Sequence, residues 1–99
     1  MGIINKLIQK ARIGKKEDID YLMSQLTTDS TIAMTRFVDY ALSFVENQQG
    51  IDQLEYYLFY GTLMQRNYCC LYFNRKGDWQ IVKQAFQNGL IDEMQFYSR

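Results

Sequence analysis

The sequence predicts an all-α fold of five to six helices, set as about three consecutive helical hairpins around a long central helix near residues 53–74. Three observations carry this. Apolar residues recur three and four positions apart through most of the chain, and no useful length alternates with period two. Proline is absent, which favours uninterrupted helices over turn-rich sheets. Hydrophobic residues make up 47% of the 99, enough to build a core in a single domain over residues 1–99.

Each element has its own signal. Ile3, Ile4, Leu7, Ile8 and Ala11 give the first helix one apolar face, and Gly14 stops it. The second is expected from about Glu17 to Leu26, with a stripe of Ile19, Leu22, Met23 and Leu26. Its Glu17-Asp18 start suits the positive end of the helix dipole. Thr27 to Ser30 supply turn and cap residues for a third helix running to about Asn47, with Gly50 as its stop. Asp52 and Glu55 have the spacing of a capping box for the central helix. That helix is apolar on most faces, and Gly61 in its middle reads as a notch where another helix passes close.

The best-punctuated segment is Gly77 to Asp92, GDWQIVKQAFQNGLID. A glycine and the cap residue Asp78 precede the stripe Ile81, Val82, Ala85 and Phe86. Asn88-Gly89 ends it, and Asp92 caps a short final helix.

Composition excludes more chemistry than it suggests. Histidine is absent, so there is no imidazole base, imidazole metal ligand or Ser-His or Cys-His pair. The two cysteines are the neighbours Cys69 and Cys70. Successive helical residues point in different directions, so these two are expected as free, packed thiols in a reducing, cytoplasmic setting. No nucleotide-binding, zinc-protease, hydrolase or calcium-loop pattern occurs. The carboxylate pairs Asp18/Asp20 and Asp92/Glu93 sit at helix starts, where capping explains them. No catalytic residue, metal or cofactor is expected, nor any membrane span.

The net charge of zero hides a segregation. Residues 1–16 carry five bases and no acid, residues 17–57 carry eight acids against Arg36, and residues 58–99 carry five bases and three acids. The basic first helix is expected to pack its isoleucines on the domain and to pair its lysines with the acidic neighbours. Nucleic acid is not an expected partner, given a pI of about 6.2.

Gly77, Asp78, Gln80, Ile81, Val82, Lys83, Phe86 and Gly89 resemble the second half of an ankyrin repeat, G-H-x-E-I-V-K-x-L-L-x-x-G. Asp78 stands for its His and Gln80 for its Glu. The first-half motif T-P-L-H-x-A-A is replaced by Tyr68-Cys69-Cys70-Leu71-Tyr72-Phe73-Asn74. Arg66, Cys69-Cys70, Phe73, Gly77-Asp78 and Ile81-Val82 equally resemble a HEAT-like helical hairpin. Either resemblance implies a surface for protein partners.

Five of the eight tyrosines lie between Tyr56 and Tyr72. Some of Tyr56, Tyr60, Tyr68 and Tyr72 are expected to stand partly exposed as one patch. With Trp79 they are the candidate contact residues. The functional expectation is a non-enzymatic module, a small adaptor or inhibitor, binding a protein partner. The alternatives are a homodimer formed through the aromatic surface and a small carboxylate- and tyrosine-based enzyme.

Overall fold

The computed structural model describes residues 2–99. These residues form seven helices and no strand: α1 Gly2–Ile13, α2 Lys16–Ser24, α3 Ile32–Leu42, α4 Gln48–Tyr60, α5 Leu63–Lys76, α6 Trp79–Gln87 and α7 Glu93–Tyr97. The all-helical expectation holds, with more and shorter helices than expected. Among the described residues no helix is long and apolar enough to cross a membrane. Contacts divide the chain into two units, one ending at Leu54 and one starting at Glu55.

In the first unit α1 packs against α2 and α3. Leu7 and Ala11 of α1 are buried, as are Ile19, Leu22 and Met23 of α2 and Val38, Ala41 and Leu42 of α3. The expected apolar face of α1 is used only in part: Leu7 and Ala11 are buried, Ile4 and Ile8 half-buried, and Ile3 is exposed. Lys10 lies 3.6 Å from the Asp18 carboxylate. That carboxylate is 6% exposed and also accepts the Lys15 N–H at 3.1 Å. Lys6 and Lys10 both stand over the Tyr21 ring, at 5.0 and 5.3 Å from its centroid.

The third helix stops at Leu42, short of the expected Asn47. The N–H groups of Ser43, Phe44 and Val45 reach back only three residues, which tightens and ends the helix. Its N-cap is Thr31, whose Oγ1 accepts the Met34 N–H at 3.0 Å. Asn47 then starts α4: its Oδ1 accepts the Gly50 N–H at 2.8 Å, and its Nδ2 donates to the Ile13 carbonyl at 2.8 Å. Gly50 is thus no stop but the third residue of α4. A Cβ there would lie 2.9 Å from the Gly14 carbonyl. Asp52 does not cap; it accepts from Gln48 Nε2 inside the helix.

The single helix expected at 53–74 is two helices in the structure. Gly61 closes α4 by donating to the Tyr57 carbonyl at 2.9 Å. Thr62 is extended, and with Gln65 it forms a complete capping box. Thr62 Oγ1 accepts the Gln65 N–H and Gln65 Oε1 accepts the Thr62 N–H, at 3.2 and 2.9 Å. A Cβ at Gly61 would meet the Tyr57 carbonyl oxygen at 2.5 Å. The glycine is therefore required by the chain's own backbone.

In the second unit α5, α6 and α7 pack on one another, burying Cys69, Cys70, Tyr72, Phe73, Val82, Ala85 and Ile91. Both glycine stops act as expected. At Gly77 (φ +80) and Gly89 (φ +73) the N–H groups of Gly77, Asp78, Gly89 and Leu90 return to Asn74, Phe73, Phe86 and Ala85 carbonyls. Asp92 caps α7 in a capping box with Gln95. Asp78 occupies the cap position of α6 without making a capping bond. Its N–H closes the end of α5, and that leaves its backbone (φ −88, ψ 68) outside the extended region a cap uses.

Gly61→Ala should lower the free energy of unfolding by about 1–3 kcal/mol, since a backbone atom must move to admit the methyl group. Asn47→Ala should cost about 1–2 kcal/mol by removing a helix cap and the partner of the Ile13 carbonyl. Urea unfolding of both variants beside the wild type measures each value.

Candidate functional site

The second unit presents exposed aromatic and aliphatic side chains where α4 gives way to α5. Tyr56 is 51%, Tyr60 74% and Leu63 73% exposed. The Tyr56 and Tyr60 rings lie 5.2 Å apart, and Tyr57 meets the Tyr56 ring edge-on at 5.4 Å. Arg66, one turn into α5, donates from Nη2 to the Phe59 carbonyl at 3.5 Å. That carbonyl belongs to the last turn of α4, where a cation is favourable. The buried Arg66 Nε has no hydrogen-bond partner.

Only part of the expected tyrosine patch is present. Tyr68 is half-buried. Tyr72 is 4% exposed; its ring packs edge-on against Phe73 at 5.2 Å, with Lys76 Nζ 5.6 Å from its centroid. The extended backbone at Thr62 resets the helical phase, so α5 does not continue the outward face of α4. Tyr72 therefore leaves the set of contact candidates. Trp79, at the start of α6, is 59% exposed, and the Arg99 guanidinium stands 5.6 Å over its ring.

A third exposed group lies on α7. Met94 is 84% and Tyr97 67% exposed, and with Glu93 and Ser98 they line a shallow depression. Beneath, Phe96 stacks on Phe86 at 4.9 Å. Met94 and Tyr97 are three residues apart on a helix of five residues, too short for its apolar spacing to define a face in the sequence.

The buried polar centre of this unit is Asn74, 3% exposed. Its Nδ2 lies 2.7 Å from the Ser98 carbonyl, 3.1 Å from that of Phe96 and 3.3 Å from that of Gln95. Cys70, one turn earlier on α5, donates its thiol to the same Gln95 carbonyl at 3.0 Å. Neither cysteine is in a disulfide, and both are buried. Burial pushes the Cys70 thiol up to about 11. It raises Cys69 further, with a smaller contribution from Cys70 beside it. Thiols held neutral in this way are poor nucleophiles and poor metal ligands. Among the described residues no group of three or more Cys, Asp or Glu could hold a metal ion.

Comparison with protein-family models, curated sequences and solved structures gives no match. The ankyrin-like and HEAT-like residues thus remain a local resemblance, carried by an α5–α6 hairpin whose two helices end at Gly77 and Gly89.

The thiols give an alkaline signature. Their ordinary value is 9.0, and the fold raises both, so the unfolded chain releases these protons first. The stability tied to neutral thiols is whole below pH 9 and drains as pH rises toward about 11 for Cys70. Unfolding free energy should fall across that window by up to about 1.4 kcal/mol per pH unit for each buried thiol. Denaturant titrations at stepped pH should show this component missing from the Cys69→Ala/Cys70→Ala double variant.

Proposed function

We propose that this chain is a non-enzymatic protein-interaction module, a small adaptor or inhibitor, whose partner packs on Tyr56, Tyr60 and Leu63 where α4 gives way to α5. One observation carries the reading: the rings of Tyr56 and Tyr60, each at least half exposed, lie 5.2 Å apart, and the exposed Leu63 follows three residues on. Tyrosines suit such a role because they offer wide, stiff amphipathic area with little entropy to lose. Their hydroxyls can hydrogen-bond across a contact while the rings exclude water. Trp79, already paired with Arg99, is a separate anchor in the same unit. The absence of histidine and the neutral, buried state of both thiols agree with a role in binding rather than in chemistry. Two cysteines outside any disulfide fit a reducing compartment such as the cytoplasm.

The test is affinity capture from the native cell with wild type and with Tyr56→Ala/Tyr60→Ala as bait. Both side chains are exposed, so the double variant should unfold within about 0.5 kcal/mol per site of the wild type. Partner recovery should nonetheless fall at least about tenfold, the effect of losing contacts worth roughly 1–2 kcal/mol. Equal recovery by both baits overturns the assignment of this surface. Light scattering on the same samples identifies the case in which the captured partner is a second copy of the chain.

A further inference from the structure

We infer that residues 92–99 form a latch that opens independently of α5 and α6, uncovering the Cys70 thiol and the Asn74 carboxamide together. The attachment of this segment differs in kind from that of the other helices of its unit. Helix α7 has five residues and buries none of them, so little apolar area holds it in place. A helix that short has no stability of its own. It is held instead by hydrogen bonds to its carbonyls and by one ring stack.

The bonds converge on two side chains of α5. Asn74 Nδ2 carries two hydrogens for three carbonyls, those of Gln95, Phe96 and Ser98. Cys70 adds its thiol to the Gln95 carbonyl. Weaker ties are Gln95 Nε2 to Asn67 Oδ1 and Arg75 Nη2 to the Arg99 carbonyl, both at 3.4 Å. The stack of Phe96 on Phe86 and the Arg99 guanidinium over the exposed Trp79 ring, 5.6 Å from its centroid, complete the attachment. Phe86 itself is 37% exposed with the latch closed, so this contact is already partly wet.

Opening exchanges these carbonyl bonds for bonds to water and separates one ring pair and the solvent-exposed Arg99–Trp79 contact. The α5–α6 packing of Cys69, Phe73, Val82 and Ala85 stays intact. Local opening that leaves the remaining core packed is the behaviour expected of a segment with few apolar contacts. The two neighbouring cysteines then report different events. Cys70 lies directly under the latch and becomes reachable when it lifts. Cys69, facing the interior, becomes reachable only when the unit unfolds.

The test is thiol labelling by a small maleimide in the full chain, using Cys69→Ala to follow Cys70 and Cys70→Ala to follow Cys69. Without denaturant, Cys70 should label at least about tenfold faster than Cys69, and low urea should change its rate little. Asn74→Ala should speed Cys70 labelling by roughly ten- to a hundredfold while the Cys69 rate moves only with global stability. Equal rates for the two thiols, with equal urea dependence, overturn the latch, because both then report global unfolding. If circular dichroism shows that Asn74→Ala does not fold, Phe96→Ala decides. Faster Cys70 labelling at an unchanged Cys69 rate supports the latch, and an unchanged Cys70 rate overturns it.

Discussion

The structure depends on giving partners to the backbone groups at helix ends. Its longest helix has fourteen residues and its shortest five, lengths at which a helix is marginal in water without packing and caps. Every helix leaves up to four N–H and four carbonyl groups unpaired at its ends, so seven short helices multiply the demand. Asn47 and Asn74 each meet it between elements far apart in sequence. Asn47 donates to the last carbonyl of α1 while capping α4. Asn74 serves three carbonyls at the end of α7. In both units an amide side chain joins two helix termini, and the close approach of Gly50 to Gly14 follows from the first of them.

How legible each element was follows the range of the interaction that fixes it. Gly77, Gly89 and Asp92 act through bonds to residues three to five positions away, so their roles could be read from the string. The same local logic was available at Thr62-Leu63-Met64-Gln65, which spells a capping box. There the apolar pattern ran unbroken through the break and concealed it. Gly61 was identified as unusual for the wrong reason: its neighbour is the Tyr57 carbonyl of its own chain, not a passing helix. Asn47 could not be read at all. Its second partner, Ile13, lies thirty-four residues away, and such a bond leaves no periodic trace.

The candidate surface was legible in composition and not in selection. Aromatic density between Tyr56 and Tyr72 marked the right region. Which rings face outward depends on helical phase, and phase depends on where each helix restarts. Met94 and Tyr97 were passed over because a five-residue helix offers too little periodicity to define a face. Cys70 and Asn74 share a face of α5 one turn apart. What that face meets was set by the return of α7 over α5.

The break at Gly61-Thr62 therefore shapes both the fold and the proposed contact surface. A helix continuous from α4 into α5 would bury or expose its tyrosines according to one uninterrupted phase. Two residues taken out of the helix, one closing α4 and one capping α5, separate the phases. Tyr72 of α5 turns into the core with Phe73 and the cysteines and Tyr68 is half-buried, while Tyr56, Tyr60 and Leu63 remain exposed. The glycine is demanded by the Tyr57 carbonyl and the threonine by the unpaired N–H groups of α5. Backbone pairing at one interruption thus decides which aromatic rings are left for a partner.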